Sequence, residues 1–188
     1  GGFDTYLKTM SRVRRTPMVT AILGECYGMP TWMACLSDFV VQVKGSAMGV
    51  SGPRVVELAL GEAVSDEELG GWQVHAEITG NVDRVAENET DSFQVIRQYL
   101  SYMPSHCDER PPQMLVSKGS GSEMDQIIEL IPEKRNRGYD MHRILNCIVD
   151  KNSLFPLKPA LKPFIFYAKP QRRKEIFLKS PWRLCVLA

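Results

Sequence analysis

Two hydrophobic periods alternate along this chain, and the switches between them mark its elements. Over residues 3–15 the apolar positions Phe3, Tyr6, Leu7, Met10 and Val13 recur at helical spacing. Lys8, Arg12, Arg14 and Arg15 fall largely on other faces, which predicts an amphipathic crossover helix ended by Pro17. Residues 18–23 form an apolar, β-branched run continuous enough for a strand buried on both faces, as parallel strands are. A turn with glycines at Gly24 and Gly28 follows, then helical composition over residues 29–36 and a second strand over residues 39–43. The small residues of 45–53 predict a loop. Residues 53–60 predict a helix with Pro53 in its first turn, Val55, Val56, Ala59 and Leu60 toward the core, and Gly61 closing it.

Farther along, Ser65 followed by Asp66, Glu67 and Glu68 is an N-cap with acidic first-turn residues, stopped by Gly70-Gly71. Residues 72–79 read as strand or irregular. Residues 92–100 predict a helix capped by Asp91-Ser92, and residues 104–122 a polar linker broken by Pro111-Pro112 and Gly119-Ser120-Gly121. A short helical or extended segment spans 124–131. Met141, Ile144, Leu145 and Ile148 place one face of a helix over 140–150. Beyond it Pro159, Pro163 and Pro170 punctuate a basic run that fits no further strand–helix unit.

The stretch with the most chemistry is residues 20–43. A helix beginning at Gly28-Met29-Pro30 leaves its first backbone N–H groups without intrahelical acceptors, and proline suits a first-turn position that needs no donor. Such donors, backed by the helix dipole, suit a carbonyl oxygen that becomes an enolate or tetrahedral oxyanion during reaction. Other candidates carry a plainer reading beside the functional one. His75 is either a hydrogen-bonded structural group or an acid–base residue. Arg12, Arg14 and Arg15 are either a solvated helix end or an anion contact. The loop at 45–53 either turns tightly for packing or brings backbone close to a ligand.

Composition narrows the class. The 188 residues, 44% hydrophobic and 24% charged, suit a globular chain with a core. The net charge of +1 is unevenly spread: from Pro156 onward eight basic residues face Glu175 alone, which leaves the body acidic. Five cysteines without a CxxC pair, and scattered His75, His106 and His142, support neither a disulfide framework nor a metal site. Reduced thiols fit a cytoplasmic protein, or a mitochondrial matrix one in a eukaryote. No apolar run reaches the ~20 residues of a membrane span. The start at Gly1-Gly2-Phe3, without methionine, suggests a fragment.

Residues 17–38, with Gly24, Gly28 and Cys35, resemble the oxyanion-forming half of the crotonase superfamily fold. A longer series runs through Gly45-Ser46-Ala47-Met48-Gly49-Val50-Ser51-Gly52-Pro53-Arg54-Val55-Val56, Glu67-Glu68-Leu69-Gly70-Gly71-Trp72-Gln73-Val74-His75 and Tyr99-Leu100-Ser101-Tyr102-Met103-Pro104. It resembles the carboxyltransferase subunit of biotin-dependent acyl-CoA carboxylases, of the propionyl-CoA carboxylase β type, over residues 1–157. The resemblance implies an α/β, crotonase-like ββα-repeat spiral: a partial N-terminal carboxyltransferase domain at 1–157, then a divergent basic tail at 158–188.

The activity it implies is transfer of a carboxyl group from carboxybiotin, carried by a partner protein, to the α-carbon of a short acyl-CoA. It also implies a biotin carboxylase or carrier subunit as partner and a homo-oligomer, with no metal, membrane or nucleic acid. By position, the amides of Gly28 and Met29 would polarise the thioester carbonyl, Tyr27 and Trp32 would shape the pocket, and Ser51, Gly52 and Pro53 would approach the acyl-CoA. Many relatives have two glycines where this chain has Gly28-Met29. In that family biotin binds a second domain, so this chain alone is expected to show little activity. Three alternatives stand beside this reading: an acyl-CoA decarboxylase subunit, a hydratase or isomerase using Glu57 or Glu62, and a non-catalytic interaction module working through the basic tail.

Overall fold

A computed structural model describes residues 2–113, 126–134, 137–150 and 153–161. The later part of the predicted polar linker, from residue 114, and the tail from residue 162 onward lie outside them. Two successive ββα units organise the body. In the first, β1 (Val19–Ile22) leads to β2 (Glu25–Tyr27) and α2 (Met29–Cys35); in the second, β3 (Phe39–Val43) leads to β4 (Ala47–Gly49) and α3 (Pro53–Leu60). A third repeat begins with β5 (Arg84–Ala86), followed by α5 (Glu89–Leu100). Equivalent strands stack in parallel, β1-β3-β5 in one sheet and β2-β4 in another, with Val19 opposite Phe39 and Glu25 opposite Ala47. This is the ββα repeat that the crotonase-like resemblance implies.

All five residues of β3 are buried, which explains why its sequence is nearly unbroken in apolar character. Its alternating side chains feed two cores. Val40 joins Ile22, Ala34, Met48, Ala76 and Val82, while Phe39, Val41 and Val43 join Ala86, Val95 and Tyr99. The Phe39 and Tyr99 rings stack with centroids 4.1 Å apart, and Phe155 tilts against both.

Several predicted elements change. The first helix, α1 (Gly2–Met10), ends at Met10, not residue 15, and the chain then turns through Arg14 at φ 62°. The turn at 24–28 and the loop at 45–53 each contain a three-residue strand, β2 and β4, held by pairing with one another. Residues 74–79 form a π-helix rather than a strand, closed by Gly80 at φ 70°. α5 starts at Glu89, because the Asn88 side chain accepts from the Asp91 amide and caps it three residues before the predicted start. α3 has its predicted bounds but buries none of its residues; Val55, Leu58 and Leu60 face solvent.

Three short helices complete the described elements, α4 (Asp66–Gly70), α6 (Ile127–Leu130) and α7 (Met141–Ile148). α7 is capped by Asp140, whose side chain accepts from the His142 amide, and buries Ile144 and Cys147. Residues 153–161 fold back along β5. The Tyr102 hydroxyl donates to the Ser153 carbonyl at 2.8 Å, Arg84 donates to the Pro156 carbonyl at 3.1 Å, and the Lys158 amide donates to the Asp83 carbonyl at 2.9 Å.

Candidate functional site

The predicted oxyanion turn joins β2 to α2. Gly28 caps the helix at φ 77° and ψ −130°, a conformation that suits glycine, and Pro30 occupies the first turn. The turn presents one open amide rather than the two expected. The Gly28 N–H donates to the Gly49 carbonyl at 3.0 Å, extending the contact between β2 and β4 by one residue. The Met29 N–H, first in the helix, has no intrahelical acceptor and makes no hydrogen bond among the described residues.

A residue absent from the sequence-based candidates locks this turn. Thr31 is 5% exposed, and its hydroxyl lies 2.6 Å from the Cys26 carbonyl and 2.8 Å from the Gly49 carbonyl while accepting from the Gly49 amide at 3.2 Å. One side chain thereby ties the first turn of α2 to the ends of both strands. A threonine three residues beyond the capping glycine was the only sequence signal of it.

The remaining candidates divide into two groups. Tyr27, Gly52 and the Ser51 backbone come together: the Tyr27 ring lies against Gly49 and Gly52, and a Cβ added at Gly52 would meet that ring at 3.5 Å. The Tyr27 hydroxyl donates to the Asp66 carboxylate at the start of α4 (Asp66–Gly70). Burial first, then this carboxylate partner, pushes the phenol above its ordinary 10.0. Tyr27 thus pins the loop at 49–53 to α4, and Pro53 opens α3 beside it. Trp32 and Met29 instead stand half-exposed on α2, each at 52%.

None of these seven candidates lines the larger opening nearby. That opening is a cleft of 490 Å³ between residues 20–26 on one wall and Pro30, Met33 and Ala34 on the other. Cys26 and Pro30, which do line it, flank the Gly28–Met29 peptide. At the end of α2, burial and then the neighbouring Cys26 push the Cys35 thiol up, which favours the neutral form.

His75 sits in the π-helix with both ring nitrogens engaged, Nε2 at 2.9 Å from the Met48 carbonyl and Nδ1 at 3.1 Å from the Thr79 hydroxyl. A carbonyl only accepts, so Nε2 carries the proton and the ring braces β4. Arg12, Arg14 and Arg15 are exposed, and the Arg15 carbonyl accepts from the Cys107 amide at 2.8 Å. No cluster of His, Cys, Asp or Glu among the described residues could hold a metal ion, and no described helix is long and apolar enough to cross a membrane.

The family model described as the carboxyl transferase domain matches residues 5–162. The chain is 32% identical over 151 residues to an uncharacterized carboxylase, YngE, of Bacillus subtilis, covering 79% of this chain and 29% of that protein. It is 30% identical over 157 residues to the carboxyltransferase subunit of propionyl-CoA carboxylase from Haloferax mediterranei, covering 82% of this chain and 30% of that protein. Among solved structures it superposes on transcarboxylase 12S, crystallised with methylmalonyl-coenzyme A and methylmalonic acid, with a TM-score of 0.79 and 25% identity. That match covers 85% of this chain and 31% of the other. The chain therefore spans less than a third of the length of these relatives.

Proposed function

This chain belongs to the carboxyl transferase domain family, and we propose that it forms part of the acyl-CoA site of a biotin-dependent acyl-CoA carboxyltransferase. The observation that carries this reading is the open Met29 amide at a rigid β2–α2 turn whose flanking residues Cys26 and Pro30 line a cleft with mainly apolar walls. A thioester carbonyl seated there accepts from the Met29 N–H. As a base supplied by the rest of the assembly takes the α-proton, negative charge grows on that oxygen, and a donor fixed in place beforehand stabilises it more than it stabilises the ground state. A single well-placed donor of this kind is worth ~2.7–4 kcal/mol of barrier. Thr31 and the Gly28–Gly49 bond keep the peptide from rotating away, so little reorganisation is needed at the moment of reaction.

Biotin, when bound, supplies the carboxyl group. The described residues do not fit it: a ureido carbonyl would need hydrogen-bond donors of its own, and the single open amide at this turn, Met29, is taken by the thioester in this reading. No step is therefore derived through biotin, and in this reading the rest of the parent protein and its carrier partner hold it. Other copies or subunits would close the site, consistent with the hexamer named for transcarboxylase 12S.

Calorimetric titration with propionyl-CoA and with free coenzyme A tests the reading, beside Gly28→Ala, which forces a side chain into the φ 77° turn. The expected result is at least tenfold tighter binding of the thioester, a preference that the variant loses. Equal affinity for the two ligands, or no binding by the folded chain, would sink it.

A further inference from the structure

The cleft beside the turn is much larger than a two- or three-carbon acyl group requires. At roughly 30 Å³ for each water-sized group, a propionyl chain fills only a small part of its 490 Å³. Its walls are mainly apolar. Ala21, Ile22 and Leu23 on the strand side face Pro30, Met33 and Ala34 on α2, and Ala34 and Ile22 sit in the first core cluster, so the floor is fixed. The polar members are few. The Thr20 hydroxyl is within 2.7 Å of the Ser37 hydroxyl, and Glu25 is the single charged residue of the lining. A wall of this composition offers an alkyl chain burial and offers a charged or polyhydroxylated group little in exchange for its lost hydration.

We propose that this cleft receives the alkyl part of the acyl-CoA and accepts saturated chains well beyond propionyl, to about eight carbons, with Met33 and Leu23 gauging their length. This rests on the carboxyltransferase reading, since it places the thioester carbonyl at Met29 and lets the chain run past Cys26 and Pro30 into the groove. Met33 suits the role because its unbranched thioether side chain refits around chains of different length. Leu23, 39% exposed, stands at the open side.

Titration of the chain with coenzyme A, propionyl-, hexanoyl- and octanoyl-CoA provides the test. Burying a methylene is worth about fourfold in affinity, so octanoyl-CoA is expected to bind at least tenfold tighter than propionyl-CoA. Met33→Trp, which fills the groove, flattens that series. Leu23→Trp, at a more exposed position, does the same and serves if the first variant does not fold. Propionyl-CoA binding tighter than coenzyme A with no gain at octanoyl, or a gain that survives both tryptophans, overturns this inference and leaves the carboxyltransferase reading intact. Acyl-CoAs that bind no better than coenzyme A overturn the carboxyltransferase reading, and this inference falls with it.

Discussion

Tyr27 shows how a single side chain determines the shape of the candidate site without contacting the chemistry. It entered as a pocket residue by position in the resemblance, yet its ring covers Gly49 and Gly52 and its hydroxyl reaches Asp66. The consequence is a pH dependence whose sign follows from the raised pKa. The folded state holds the phenolic proton more tightly than the unfolded chain, so the stability this provides is complete below the ordinary value of 10.0 and is lost as pH rises above it. Tyr27→Phe keeps the ring packing and removes the proton. It should cost about 1 kcal/mol near neutrality for the lost hydrogen bond, and its stability should fall less steeply than wild type above pH 10. Denaturant melts of both proteins from pH 7 to 11 check this; parallel curves would mean that Tyr27 is not a source of the alkaline loss.

Among the elements, the strongest constraint lies where α4 meets β4. The sequence marks Gly70-Gly71 as a helix stop, and the structure adds a packing reason. A Cβ at Gly70 would collide with the Met48 carbonyl oxygen and come within 2.8 Å of its carbon, and one at Gly71 would lie 2.5 Å from the Glu67 carbonyl oxygen. The contact also accepts a hydrogen bond, from Gln42 Nε2 to the Gly70 carbonyl at 3.1 Å. Backbone cannot yield as a flexible side-chain end can, so Gly70→Ala should cost at least ~1–3 kcal/mol, while Gly61→Ala, with open space around its Cβ, pays only for its φ of 73°. A thermal melt of the two variants compares them, and a Gly70→Ala protein as stable as Gly61→Ala would refute the close contact.

What was legible follows from the range of the determining forces. α2, β3 and α3 have almost their predicted limits, since proline, glycine and local periodicity set them. β2 and β4 were not legible: each is three residues long and exists because its partner lies 22 positions away, from Glu25 to Ala47. The amphipathic pattern of α3 gave a helix with an apolar face but could not say that this face meets no core. The candidate turn was readable from Gly28 and Pro30, whereas the diversion of the Gly28 amide to Gly49 depends on a ladder that local sequence does not encode.

For the molecule as a whole, the open question is where the folded body ends. The predicted division after residue 157 rested on the loss of strand–helix pattern and the onset of proline and basic charge. Residues just beyond it make specific contacts. Lys158 Nζ lies 2.9 Å from the Asp83 carboxylate and also donates to the Gly80 carbonyl, Ala160 packs against the first core cluster, and Leu161 covers Gly80. Asp83 is 9% exposed, and its other oxygen accepts from the Val40 amide at 2.8 Å, so it couples the strap to the central strand. Removing Lys158 leaves that carboxylate buried with one partner fewer. Chains ending at Leu157 and at Leu161 should therefore differ, the shorter being less stable by about 1–3 kcal/mol from the carboxylate's lost partner alone. That corresponds to a melting point lower by several degrees. Lys158→Met in the longer chain separates the two contributions: it should reproduce the electrostatic part and keep the packing of Ala160 and Leu161. Identical melting of the two truncations would put the division back at residue 157 and make the Lys158–Asp83 pair a surface contact of no structural weight.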